Sequence, residues 1–280
     1  MKAASRACLV TVLIFCILVF SSCVVISNCC PQEEYTRTMP LSSPINDGAL
    51  FKAKTHNGYI KIEAADISQC DIVATIKGRA KTIEVAQELA EKVNVSLVPG
   101  GDSLLVKIDK PTTKNNESVS VSLDVKLPKQ VALSLFTHNG SVVVSGTAGP
   151  IDATTHNGKV EAIGIEGDVE LETHNGQVVC SDFIGNAHLL THNGGVNLSY
   201  LDNAPSVCKV HAETHNGSIT FKAPPAFSAS AFISTHNGSI HTDLPVLAVG
   251  KLSKNKITGK IGSGEGKLHL KTHNGSIRIK

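Results

Sequence analysis

Eight of the twelve histidines in this 280-residue chain occupy the same place in a recurring tetrapeptide, Thr-His-Asn-Gly: His56, His138, His156, His174, His192, His215, His236 and His273. Imidazole titrates near neutral pH and ligates borderline transition metals. If the repeat brings these rings side by side, neighbouring pairs can share Zn²⁺, Ni²⁺ or Cu²⁺, with two ligands from the protein and the rest from water. A second reading needs no ligand: His fits a chain corner, hydrogen-bonding a backbone carbonyl or stacking on its neighbour. The other three residues have simpler roles. Asn-Gly supplies the positive φ angles of a tight turn, and Thr can form an inward ladder. Only His lacks such a necessity.

The copies begin at Thr55, Thr137, Thr155, Thr173, Thr191, Thr214, Thr235 and Thr272, and the four from Thr137 to Thr191 are 18 residues apart. A fixed short period is the mark of a repeat architecture. The flanks have diverged in identity and kept their parity. After each Gly, the second and fourth residues are nearly always apolar, as in Ile60 and Ile62, Val142 and Val144, Val160 and Ala162, Val178 and Cys180. Before each copy, Val169, Leu171 and Thr173 share one parity, as do Leu268, Leu270 and Thr272. Period two means half-buried strands, with Thr toward the core and His toward solvent.

Both an antiparallel meander and a solenoid satisfy that parity. Asn-Gly alone suits a hairpin. Identical turns at constant spacing suit stacked coils, which place Thr on Thr and Asn on Asn roughly 4.8 Å apart. Eighteen residues are too few for a propeller blade of ~40. The expected fold is therefore all-β, a β-solenoid of ~18-residue coils with Thr-His-Asn-Gly turns. Composition agrees: there is no Trp, aromatics are 4%, and Gly numbers 23, as suits a narrow interior of Val, Ile, Leu and Ala.

Departures from the period locate insertions. The step from Thr191 to Thr214 is 23 and places an enlarged turn near residues 202–206. The next, of 21, bulges at Pro224-Pro225, and the last, of 37, leaves room for a degenerate coil around Ile257-Thr258-Gly259-Lys260. The 82-residue gap after Thr55 holds one amphipathic helix, Arg79 to Val93, expected to cover an open end of the stack. Strands are expected to follow at 93–98, 104–108 and 119–127.

Lys2 and Arg6 precede an uncharged apolar run to about Ile26, which reads as an export signal. Cys23, after Val19-Phe20-Ser21-Ser22, stands where a bacterial lipobox places its lipidated Cys, with Phe20 departing from the usual Leu. An uncleaved single transmembrane anchor and free secretion are the alternatives. The expected organisation is a signal over 1–22, a lipid-anchored or membrane-proximal tether over 23–47 and a solenoid over 48–280. The Pro, Ser and Thr of 31–48 suggest that the tether is flexible. All three routes place the body in the cell envelope or outside it.

The chain carries 26 basic and 24 acidic residues; the signal removes Lys2 and Arg6, leaving 24 of each sign. No basic stripe or stacking platform marks a nucleic-acid partner. Cys70, Cys180 and Cys208 lack metal-ligand spacing, and Cys180 falls on a core parity; a Cys180–Cys208 disulfide stays open. The acids scatter, and no phosphate loop, zinc-protease helix or nucleophile motif appears, so the expectation is a non-enzyme.

The order of parts resembles a bacterial family described as a "putative adhesin" domain of unknown function. Those parts are a lipobox-like leader, a tether, a Thr-His-Asn-Gly coil, one helix and then tandem strand–turn units. The chain closes on Gly259-Lys260-Ile261-Gly262, Leu268-His269-Leu270 and Thr272-His273-Asn274-Gly275-Ser276-Ile277. The resemblance spans roughly residues 45–280. It implies a β-solenoid at the cell envelope, with a structural or adhesive role toward a surface polysaccharide or protein and no catalytic residues to carry over. A His in every turn goes beyond that family's looser Thr-x-x-Gly habit.

Overall fold

The structure, a computed structural model, describes residues 32–248 and 253–280, and Gln32–Lys280 is one compact unit. It is a β-solenoid of two strands per coil. A strand ending in Thr-His-Asn lies in a twelve-stranded sheet, Gly carries the chain round the corner, and the next strand lies in an eleven-stranded sheet. Ile151–Asn157 and Val160–Glu166 form one such coil. Successive coils pair in parallel and in register, Thr155 with Thr137 on one side and Thr173 on the other. The inward residues of both sheets, such as Ala153, Val160, Ala162 and Leu171, are fully buried. Rings also enter the core at and just before the lengthened coils: Phe183, Tyr200 and Phe221 follow one another at centroid separations of 5.0 and 6.0 Å.

Three columns of side chain and backbone hold the corner. Each Thr is buried, and all but Thr55, which donates to the Val121 carbonyl, donate their hydroxyl to a Gly carbonyl of the neighbouring coil, as Thr173 does to Gly158 at 2.9 Å and Thr191 to Gly176 at 2.8 Å. Each such bond is worth about 1 kcal/mol net. The Asn side chains form an amide ladder, Asn157 to Asn139 and Asn175 to Asn157 at 2.8 Å. The Gly requirement differs from the turn chemistry expected of Asn-Gly. No Asn of the tetrapeptide has positive φ, and among its glycines only Gly58 and Gly158 do. What excludes a side chain is the adjacent coil: a Cβ on Gly176 would lie 1.9 Å from the Gly158 carbonyl oxygen.

The N-terminal end is closed by added elements. The helix is Ile83–Glu91, capped by Thr82, with Ala86, Leu89 and Ala90 buried. It lies directly on Gly78, where a Cβ would meet the Ala86 carbonyl. The stretch expected to be a flexible tether instead forms a strand, Glu33–Pro44, paired antiparallel along its length with Gln69–Ala80. Its prolines are tolerated because it is an edge strand. Arg37 on this strand donates to the carbonyls of Ala90 and Val93 and so caps the helix C-terminus. The three strands expected after the helix are Asn94–Pro99, Ser103–Asp109 and Ser118–Pro128.

At the other end the spatial order departs from the chain order. The C-terminal strand Gly266–Asn274 is inserted between Lys209–Asn216 and Ala229–Asn237, pairing in parallel with both. Ile277–Ile279 does the same in the other sheet, between Ile219–Lys222 and Ile240–Thr242. The Thr272 coil thus separates the Thr214 and Thr235 coils. The degenerate coil expected around residues 257–260 is absent from the described residues. Lys256–Ile261 pairs antiparallel with Ala229–Asn237 and with Val246–Ala248, ending the twelve-stranded sheet in a short edge. Cys70, Cys180 and Cys208 are buried free thiols.

Candidate functional site

Parity and parallel register bring all eight turn histidines into one column along the corner. The rings stack in the order His56, His138, His156, His174, His192, His215, His273, His236, with centroids 4.6–4.9 Å apart. Most neighbouring rings are nearly parallel, His174 and His192 within 2°. Face-to-face rings direct their ring-nitrogen lone pairs in parallel. Two bonds from nitrogen to Zn²⁺ span at most about 4.2 Å, less than the stacking distance. As arranged, the column stacks; chelation by adjacent members requires rings to turn out of it. Cys23, the expected lipid anchor, lies outside the described residues.

Stacking has a titration consequence. Burial, then Lys110 and His138, lower the pKa of His56; burial, then His236 and His215, lower that of His273. Burial, then His269, lowers His211 despite the raising effect of Glu213. With folded values below the unfolded one, the unfolded chain takes up protons first as pH falls. The stability these groups contribute is fully present above the unfolded value of 6.5 and is lost on acidification through the folded values. We expect the melting temperature to fall between pH 7.5 and 5, and to fall less in a variant with all eight turn histidines changed to Gln. Circular-dichroism melts at both pH values check this; equal slopes would remove the column as the cause.

A second set of side chains lies on the outer face of the twelve-stranded sheet. The residue three before each Thr points outward, and across the stack this position reads Lys52, Ser134, Asp152, Glu170, His188, His211, His269 and Phe232. All of them but Phe232 line a shallow open groove of about 880 Å³ that runs from Lys52 to His269. Burial, then the charge of Glu170, raises the pKa of Asp152. His188 stands edge-on to His211 at 4.7 Å, His211 stacks on His269 at 4.7 Å, and His269 on Phe232 at 5.0 Å. Glu213, two residues along from His211, brings Oε1 within 3.2 Å of Nε2 of both His211 and His269. Its other oxygen is 3.3 Å from Lys271 Nζ.

Sequence reasoning centred on the tetrapeptide missed this set. The signal was available: His188, His211 and His269 each stand three residues before a repeat Thr, which becomes visible when the copies are aligned in phase. What no local pattern shows is that the strand carrying His269 lies beside the strand carrying His211.

The sequence model described as Toastrack DUF4097 matches residues 49–280. No curated protein matches the sequence. Among solved structures the chain is similar to a "putative cell adhesion protein" from Clostridium sporogenes, at 11% identity and TM-score 0.36, covering 87% of this chain and 99% of that one. It is also similar to a "putative adhesin" from Bacteroides fragilis, at 12% identity and TM-score 0.35, covering 87% and 97%. A "putative lipid binding protein" from Parabacteroides distasonis gives 11% identity and TM-score 0.31, covering 87% and 97%.

Proposed function

Because the chain belongs to the Toastrack DUF4097 family, we propose that it is a non-catalytic solenoid of the cell envelope that holds a surface polysaccharide along the outer groove of its twelve-stranded sheet. The observation that carries this reading is the groove itself, open along its length and repeating one outward side chain per coil. Neighbouring positions are roughly 4.8 Å apart, close to the advance of one sugar in an extended chain. Asp152 and Glu170 line this groove and can accept hydrogen bonds from sugar hydroxyls.

In this proposal Cys23 is the lipid anchor. No helix among the described residues is long and apolar enough to cross a bilayer.

The test is equilibrium binding of the purified protein to isolated envelope polysaccharide, beside the double variant Asp152→Lys, Glu170→Lys. We expect the variant to lose about tenfold or more in affinity, ~1.4 kcal/mol, and the eight-turn-His→Gln variant to bind as the parent does. Binding that ignores the groove variant would move the contact elsewhere on the solenoid. Binding to envelope protein and not to polysaccharide would replace the ligand class.

A further inference from the structure

We propose that His211, Glu213 and His269 form a site for one divalent transition-metal ion of the Zn²⁺ class, separate from the column of turn histidines. The fold assembles it from two strands that are 58 residues apart in the chain, His211 pairing with His269 and Glu213 with Lys271 in parallel register. All four side chains share the outer face by parity. The three ligand atoms lie within 4.8 Å of one another, and this is the one such group of three or more His, Cys, Asp or Glu among the described residues.

The difference from the column is the carboxylate. Neighbouring turn histidines have only each other, whereas Glu213 Oε1 stands 3.2 Å from both Nε2 atoms of this pair. His269 Nε2 is shielded from solvent and, in spite of that distance, makes no hydrogen bond. A buried nitrogen beside a carboxylate oxygen and a second imidazole is satisfied by a cation bound among the three. Two imidazoles and one carboxylate suit Zn²⁺, Co²⁺, Ni²⁺ or Cu²⁺ better than Ca²⁺ or Mg²⁺, which take oxygen ligands.

The surroundings fix this ligand set. His188 edge-on to His211 and Phe232 stacked on His269 wall the pair from either side. Lys271 holds Glu213 Oε2, which orients Oε1 toward the rings. Binding turns these stacked rings, 4.7 Å apart, so that both Nε2 lone pairs converge on the ion at about 2.0–2.1 Å. Three protein ligands leave a fourth, tetrahedral position for water. The ion would staple the C-terminal strand Gly266–Asn274 to Lys209–Asn216, so its binding also reads out as stability.

The full-length protein is titrated with Co²⁺, followed by displacement with Zn²⁺, and the visible ligand-field bands of tetrahedral Co²⁺ are recorded. The same titration is run on His211→Gln/His269→Gln, on Glu213→Gln, and on the variant with all eight turn histidines changed to Gln. We expect one equivalent per chain whose bands Zn²⁺ abolishes, and a Zn²⁺-induced rise in melting temperature that Ca²⁺ does not produce. In the double variant affinity should fall at least ~100-fold, as loss of two of three ligands implies, and Glu213→Gln should weaken binding with unchanged circular dichroism. The turn-His variant should keep the bands. Unaltered binding in both cluster variants, loss of the bands in the turn-His variant alone, or no saturable Co²⁺ binding by the parent would each overturn the proposal. It does not rest on the polysaccharide reading, since the probe is the metal alone.

Discussion

Gly176→Ala is expected to cost about 3 kcal/mol or more, at the upper end of overpacking effects, although alanine is the smallest side chain that can be added. Its Cβ would lie 1.9 Å from the Gly158 carbonyl oxygen. That oxygen cannot yield freely, because it also accepts the buried Thr173 hydroxyl at 2.9 Å. The clash therefore spreads into the Thr column. Gly101→Ala is the control: nothing lies within 4 Å of its Cβ, and only its φ of +59° opposes the change. That costs about 1 kcal/mol. Urea melts of the two variants against the parent measure the difference. Equal losses at both sites would mean that the coils can spread to admit a methyl group, and the close-approach account of the repeated Gly would fall.

Truncation after Glu265 should remove more than the segment deleted. Leu268, Leu270, Ile277 and Ile279 are fully or nearly fully buried, and at about 1.5–3 kcal/mol each their burial alone is worth roughly 6–12 kcal/mol as an upper bound. In a stack built in chain order, losing the last coil would leave the rest docked. Here the lost strands separate the Thr214 coil from the Thr235 coil, so residues 229–242 lose the parallel neighbour that joins them to the body. Hydrogen exchange on the truncated protein should show amides of Ala229–Asn237 unprotected while those of Ile151–Asn157 keep their protection. Retained protection over Ala229–Asn237 would show that the Thr235 coil can redock directly on the Thr214 coil.

Those two predictions divide along what the residues reveal by themselves. Parity before and after each Gly places Thr173 inside and His174 outside, and the constant spacing implies stacking; both hold in the structure because each depends only on local alternation and register. The strand Glu33–Pro44 reads locally as a linker, since Pro40 and Pro44 argue against a ladder. Only its edge position, where one side needs no partner, makes them harmless. The C-terminal insertion has no local signature at all, because the residues of Gly266–Asn274 would look the same beside either neighbour. The same blindness hid the His211–Glu213–His269 cluster, whose members meet only through that insertion.

The Asn ladder bears on how the protein ages. Asn-Gly is the dipeptide most prone to deamidation, by attack of the Gly backbone nitrogen on the Asn side-chain carbonyl, and this chain carries it at every corner. In the solenoid that nitrogen is engaged: Gly158 N–H donates to the Asn175 carbonyl at 3.0 Å and Gly176 N–H to Asn193 at 3.0 Å. Each side-chain amide is meanwhile held in the ladder by its neighbours. The coils thus keep their most fragile bonds out of the reactive geometry for as long as they remain stacked. One conversion to Asp would replace an amide donor with a charged acceptor facing another acceptor, and would loosen the next corner. Chemical wear should therefore start where a coil first frays and advance inward rung by rung, so that the charge heterogeneity of an old sample records which end of the stack opens first.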